Sequence, residues 1–131
     1  MIGLDTNVLV RYIAQDDVIQ SALAVKFIEK QCSPSQPGFI GLVTLVELIW
    51  VSESCYGATK KNIADLVRRL LSARQLLVQD TETVWKALRL FEAGHADFAD
   101  CLVERMANAA GCKSTVTFDK MAAKAGMTLL K

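Results

Sequence analysis

The sequence has few prolines, one histidine and no long apolar run, and these shortages exclude several classes of protein. Both prolines fall within residues 33–38, a composition that marks a loop. The longest apolar stretch, residues 39–51, is too short to cross a bilayer and is interrupted by Glu47. The first residues lack the basic region and the long apolar core of a signal peptide. We therefore expect a soluble protein that is not exported.

Patterns of cysteine and histidine that would bind zinc are also missing. The four cysteines form no Cys-x-x-Cys pair, and His95 stands alone in a Gly-His-Ala turn, where we expect an exposed loop residue. A zinc-finger site is therefore excluded. The cysteines are expected to be reduced, mostly buried thiols of a cytoplasmic protein. The net charge of +1 neither demands nor excludes nucleic acid as a partner.

Short apolar runs alternate with helical patterns along the whole chain. The predicted strands are residues 1–4, 39–43, 76–78, 114–118 and 127–130. One intervening helix runs from Asp17 to about Gln31, with Ile19, Leu23 and Phe27 along its apolar side. Parallel strands need such crossover connections, so the pattern predicts an α/β fold with a parallel sheet between two helical layers. The 131 residues correspond to one domain, which we place at 1–131.

Acidic residues recur where a predicted strand gives way to a helix. These positions are Asp5, Glu47, the pair Asp97 and Asp100, and Asp119. The carboxyl ends of parallel strands lie at one edge of a sheet, so carboxylates placed there are expected to meet. Gathered carboxylates repel one another unless a cation lies between them.

Helix capping offers an ordinary explanation for most of these acids. Asp5, Asp97 and Asp119 each stand where an N-cap is expected, although Thr6 or Asn7 could cap in place of Asp5. Thr44-x-x-Glu47 matches a capping box, with the helix opening at Thr44. Capping does not explain Asp100, which stands among the apolar residues Phe98, Cys101 and Leu102.

Taken together, the acids describe a site made of oxygen ligands alone. Such a site suits Mg²⁺ or Mn²⁺ better than zinc. A divalent ion held by carboxylates activates a water molecule and stabilises the oxygens of a phosphoryl group under in-line attack. Hydrolysis of phosphodiester bonds is the reaction that fits this chemistry.

The chain resembles the PIN-domain family and, within it, the VapC-type toxin ribonucleases of toxin–antitoxin pairs. The resemblance rests on Ile2-Gly-Leu-Asp-Thr-Asn-Val-Leu-Val-Arg-Tyr12, Thr44-Leu-Val-Glu-Leu48, Asp97-Phe-Ala-Asp-Cys-Leu102 and Thr117-Phe-Asp119. It implies a sandwich with a five-stranded parallel sheet, a homodimer, and a VapB-like antitoxin whose C-terminal segment lies in an apolar groove. It also implies metal ligands at Asp5, Glu47, Asp100 and Asp119, an outer-shell or capping role for Asp97, and orienting roles for Thr6, Asn7 or Thr117.

Among the basic residues, Arg11 is the best candidate for a functional role. It follows Asn7 by about one turn, so it could hold a phosphate or an acid of the antitoxin beside the carboxylates. The cluster on the helix after Thr59, made of Lys60, Lys61, Arg68, Arg69 and Arg74, is expected to be a solvated face.

Two other functions stay open at this point. A phosphatase of the haloacid dehalogenase type would use Asp5 as its nucleophile, but its Asp-x-Asp start is missing because residue 7 is Asn. A non-catalytic protein with the PIN fold would use the acids only as caps and solvated charges.

Overall fold

A computed structural model describes every residue of the chain, Met1–Lys131. The chain divides into two compact units, Met1–Gln79 and Asp80–Lys131. None of the helices has the length and apolar character that crossing a bilayer requires. The assignment of residues 1–131 to one domain stays a prediction.

The first unit alternates strands with helices. Its elements are β1 (Ile2–Gly3), α1 (Thr6–Ala14), α2 (Val18–Lys26), β2 (Gly38–Ile40), α3 (Leu42–Tyr56), α4 (Lys60–Ser72) and β3 (Leu76–Val78). A π-helical segment, Phe27–Gln31, continues α2 to the residue where the sequence predicted the helix to end. The strands form a parallel sheet in the order β1-β2-β3, with Gly38 opposite both Ile2 and Leu76.

The second unit contains three helices and a short parallel strand pair. Its elements are α5 (Thr81–Ala93), α6 (Phe98–Ala109), β4 (Val116–Thr117), α7 (Lys120–Lys124) and β5 (Thr128–Leu129). β4 pairs with β5, and the rings of Phe91 and Phe98 meet edge to face, 5.8 Å between centroids, to join α5 to α6. The predicted α/β class is therefore confirmed, and the five predicted strands are grouped as a sheet of three and a pair.

Glycine at position 38 allows the first sheet to pack tightly. A Cβ atom there would lie 2.7 Å from Cδ1 of Leu4 and 3.2 Å from Cδ2 of Leu76. Leu4 is buried in the space that a larger residue would fill. The Leu4 side chain therefore packs against β2 at Gly38, directly before Asp5.

The helix α4 follows its sequence pattern closely. Thr59 caps it through a reciprocal pair of bonds with Asn62, and the apolar side chains buried along it are Ile63, Leu66, Val67 and Leu70. On the outer face, Asp65 pairs with Lys61 at 3.2 Å and with Arg68 at 3.8 Å. The basic cluster is thus largely a solvated face, as predicted, with Arg69 also lying over the ring of Tyr12.

The predicted apolar side of the second helix is wrong. Ile19 is 74% exposed and Leu23 is 63% exposed, whereas Ser21 and Ala24 are buried. α2 packs beside α1, and the residues that it buries are small, which allows two helices to approach closely. The large side chains of Ile19 and Leu23 stay exposed.

The prediction that the cysteines are mostly buried holds for only half of them. Cys32 and Cys101 are buried, but Cys55 and Cys112 are exposed, and all four are free thiols. Cys55 lies in the exposed last turn of α3, and Cys112 follows the end of α6, where few side chains surround them. His95 is exposed in its turn, as predicted.

Candidate active site

Asp5 joins the end of β1 to the start of α1 and caps that helix. Its Oδ1 accepts a hydrogen bond from the backbone N–H of Thr6 at 2.7 Å. Thr6 and Asn7, the alternative caps, lie inside the helix, so that alternative is wrong. Since a carboxylate offers two acceptor oxygens, Oδ2 of Asp5 stays available for another ligand.

Glu47 does not belong to a capping box. α3 begins at Leu42 rather than at Thr44. The N-terminal N–H of Leu42 donates to Oε1 of Gln79 at 3.0 Å, so a distant residue caps the helix in place of the predicted local cap. The Glu47 carboxylate instead accepts a hydrogen bond from the hydroxyl of Thr6. A buried threonine of α1 thereby orients the acid of α3, which fits the orienting role expected of Thr6.

These side chains meet in one pocket of the first unit. The pocket has a volume of about 440 Å³ and is lined by Asp5, Thr6, Asn7, Val10, Arg11, Glu47 and Val51. Two carboxylates thus face a single basic side chain. All five residues that the sequence singled out in this unit line the pocket.

The predicted acids of the second unit also lie near one another. Asp97 caps α6, and its Oδ1 accepts from the N–H of Asp100 at 2.8 Å. Asp119 caps α7, and its Oδ1 accepts from the N–H of Met121 at 2.8 Å. Thr117 fixes the approach to this cap, because its hydroxyl accepts from the N–H of Asp119 at 3.0 Å.

Asp100 is the most perturbed acid of this group. Burial raises the pKa of its carboxyl above the usual value, and the charges of Asp97 and Asp119 raise it further. Both charged groups that raise the pKa of Asp100 are themselves acids. A carboxylate in such surroundings gains stability from a cation.

Glu104, which continues the face of Asp100 by one turn, has a different role. It is buried and forms an ion pair with its neighbour Arg105, whose pKa is raised mainly by that hydrogen bond. Both carboxylate oxygens of Glu104 accept hydrogen bonds from Arg105, so neither is left for a metal ion.

The donor chemistry of both groups fits a hard divalent cation. All the candidate ligands are carboxylates, and Asp5, Asp97 and Asp119 each cap a helix through Oδ1 alone. Mg²⁺ and Mn²⁺ prefer such oxygen ligands. No three histidine, cysteine, aspartate or glutamate side chains are drawn together tightly enough to hold an ion as they stand.

A family comparison assigns the chain to a known class of domain. A model of the PIN domain matches residues 2–126, nearly the entire chain. The chain belongs to the PIN domain family. The family resemblance read from the sequence motifs is therefore confirmed.

A relative of this PIN domain is a VapC ribonuclease from Aquifex aeolicus (strain VF5). The two sequences are 24% identical over 123 residues, which cover 94% of this chain and 90% of the relative. The similarity therefore runs through both compact units of the chain.

Three contacts around the candidate site have no signal in the sequence, and the one made by Gln79 joins distant parts of the chain. Gln79 caps α3, and Asp16 and Gln20 hold Arg11. Asp16 and Gln20 stand within one helical turn of the Asp17 cap, so the sequence offered only a capping signal there.

Proposed function

We propose that this PIN domain is a VapC-like endoribonuclease toxin that uses Mg²⁺ or Mn²⁺ to hydrolyse RNA phosphodiester bonds. The observation that carries the proposal is the match of the PIN domain model to residues 2–126, a range that includes the acids of both units. The raised pKa of the Asp100 carboxyl, caused by burial and by the charges of Asp97 and Asp119, is consistent with an acid that binds a cation. The similarity to a protein named VapC ribonuclease supports RNA as the substrate.

In this proposal Asp5, Glu47, Asp100 and Asp119 hold the metal, and Asp97 acts as a cap or through water. When bound, the ion would lower the pKa of a water molecule and stabilise charge on the phosphate oxygens. The chain itself fixes the direction of each ligand. Asp5 and Asp119 are aimed by the helices they cap, and Glu47 is aimed by the hydroxyl of Thr6.

Inhibition by a VapB-like antitoxin is part of the same proposal. A groove of about 760 Å³ lies beside α1 and α2, and its lining includes Asn7, Arg11, Leu23 and Phe27. Leu23 is 63% exposed there, so an apolar segment of a partner would remove it from water. Asn7 and Arg11 also line the acidic pocket, so an occupant of the groove would reach that pocket. A homodimer is the assembly that we propose.

The test is cleavage of single-stranded RNA by purified, antitoxin-free protein with Mg²⁺ or Mn²⁺. Asp5→Asn and Asp100→Asn are expected to lower the cleavage rate by at least about a hundredfold, since each removes a charged ligand. Asp65→Asn is the matched control, because Asp65 is an exposed acid paired with Lys61 and Arg68. Activity that persists unchanged in both site variants would refute the assignment.

A non-catalytic role is the second candidate function. The observation in its favour is that no three candidate ligands converge closely. Titration calorimetry with Mn²⁺ separates the two functions. Binding that Asp100→Asn abolishes supports the nuclease, whereas absence of binding to the wild-type protein supports the non-catalytic role.

A further inference from the structure

Arg11 is the only basic side chain that lines the pocket of Asp5 and Glu47. We infer that Arg11 binds a phosphate group of the RNA at this pocket, and that Asp16 and Tyr56 are positioning residues that hold Arg11 in place. The inference rests on the proposed ribonuclease function. It explains how a pocket that contains two acids can bind RNA, which is itself negatively charged.

The guanidinium of Arg11 is anchored on one side and open on the other. Its Nε donates to Oε1 of Gln20 at 2.8 Å, and its Nη1 donates to Oδ1 of Asp16 at 3.0 Å. The remaining N–H groups donate to no other residue, and the side chain is 33% exposed. A guanidinium fork with unused donors matches the geometry of phosphate oxygens.

Asp16 is itself held by Tyr56, the last residue of α3. The Tyr56 hydroxyl donates to Oδ2 of Asp16 at 2.7 Å, so each carboxylate oxygen of Asp16 has one partner. That hydrogen bond is also the main reason why the pKa of Asp16 lies below its usual value, which keeps the anchor ionised. The same helix carries Glu47, so one chain of contacts ties Arg11 to the helix of a candidate ligand.

Ordering Arg11 in advance is useful because the pocket repels RNA. Asp5 and Glu47 place two negative charges where a phosphate must approach. A free arginine would lose side-chain entropy on binding that phosphate. The bonds of Arg11 to Gln20 and to Asp16, which Tyr56 holds in turn, have already removed much of that freedom. Asp16 and Tyr56 therefore act on the RNA only through Arg11.

The first test measures RNA binding without cleavage. A fluorescein-labelled oligouridine of twelve nucleotides is titrated in EDTA, and its anisotropy is followed at several KCl concentrations. Arg11→Gln is expected to weaken binding about tenfold and to reduce the salt slope by about 0.7, the value for one lost contact with single-stranded nucleic acid. Arg11→Lys, which keeps the charge but loses the fork, should lie between the wild type and Arg11→Gln.

A pair of alanine variants separates positioning from net charge. Asp16→Ala and Asp65→Ala each remove one exposed acid, so a pure charge effect would strengthen RNA binding in both. Positioning predicts that Asp16→Ala instead weakens binding severalfold, while Asp65→Ala does not. Asp16→Asn, which keeps an acceptor for Arg11, should recover part of the loss. Tyr56→Phe changes no charge and should weaken binding by roughly twofold.

Kinetics with Mn²⁺ provide the second readout, and urea unfolding confirms that each variant is folded. Arg11→Gln should raise KM more than it lowers kcat, since Arg11 binds a phosphate in the ground state. Wild-type cleavage with unchanged KM and RNA affinity in Arg11→Gln would overturn the inference and leave the ribonuclease intact. Equal behaviour of Asp16→Ala and Asp65→Ala would overturn the positioning roles.

Two further outcomes are decisive. A wild-type protein that binds RNA through Arg11 but never cleaves it would overturn the proposed function and leave the inference standing. Unchanged RNA affinity of Arg11→Gln, with lost affinity for a deca-glutamate peptide, would assign Arg11 to an acidic protein partner and refute the phosphate role.

Discussion

Asp97 allows helix capping to be measured apart from metal binding. Asp97→Ala deletes the acceptor that meets the N–H of Asp100 at 2.8 Å, and loss of such a cap costs about 1 kcal/mol. The same change relieves the repulsion of Asp100, which returns about 0.3 kcal/mol. The expected net loss is about 0.7 kcal/mol of unfolding free energy, or roughly 2 °C in Tm.

Asp97→Asn keeps an oxygen acceptor and removes only the charge. We expect it to melt at the wild-type temperature or roughly 1 °C higher, because the cap survives and the repulsion is relieved. Asp17→Ala and Asp17→Asn form the matched pair at the start of α2, where Asp17 Oδ1 accepts from the N–H of Gln20 at 2.8 Å. That pair gives the capping cost at a helix that carries no candidate metal ligand.

The assay measures urea and thermal unfolding at pH 7 by circular dichroism, with and without Mn²⁺. A role as cap or outer-shell acid predicts that Asp97→Asn keeps most of the Mn²⁺-induced rise in Tm. Complete loss of that rise would make Asp97 a direct ligand. Equal destabilisation by asparagine and alanine would refute the capping argument.

Three further predictions concern single contacts. In the metal-free wild type, stability should fall as the pH rises from the unfolded-state pKa of Asp100 to its raised folded-state pKa. Asp100→Asn should therefore be more stable than the wild type at pH 7, by less than about 1 kcal/mol. Scanning calorimetry in which this stability difference is no larger at pH 7 than at pH 3 would contradict the prediction. Asp16→Asn should lower the pKa of Tyr56, which its hydrogen bond to Asp16 raises, and an unchanged absorbance titration at 295 nm would count against it. Thr6→Val should cost about 1 kcal/mol in urea unfolding because Glu47 loses its donor, whereas equal loss in Thr6→Ser would show that the hydroxyl is irrelevant.

Local signals predicted most of the elements, because the residues that begin and end a helix lie within a few positions of its termini. Thr59 and Asn62 form their cap three residues apart, and Gly57 ends α3 with a φ of 63°. Asp97 and Asp119 likewise cap through amides two or three residues away. A single segment of sequence contains everything that these contacts need.

Contacts between distant segments could not be predicted in this way. Thr44-x-x-Glu47 reads locally as a capping box, but the donor to Glu47 is Thr6, 41 residues earlier. The cap of α3 comes from Gln79, 37 residues after Leu42. The hydrophobicity of Ile19 and Leu23 likewise could not show that α2 would bury Ser21 and Ala24 instead.

Capping and metal binding also proved to be compatible explanations. The sequence set them against each other for Asp5, Asp97 and Asp119, yet each of these acids caps with one oxygen and keeps the other. A cap fixes the carboxylate rotamer before any ligand arrives, which lowers the entropy lost on binding. The capping role would therefore prepare these acids for the metal binding that we propose.

Gly38 has a further consequence for the acid that follows β1. The residue carries no functional group, yet its missing side chain leaves the space that the Leu4 side chain fills. A methyl group there would displace Leu4, and Asp5 is the next residue along the chain. We expect a larger residue at position 38 to shift the side chains of Leu4 and Leu76. A substitution that leaves every acid intact would thus still disturb the packing directly before the candidate ligand Asp5.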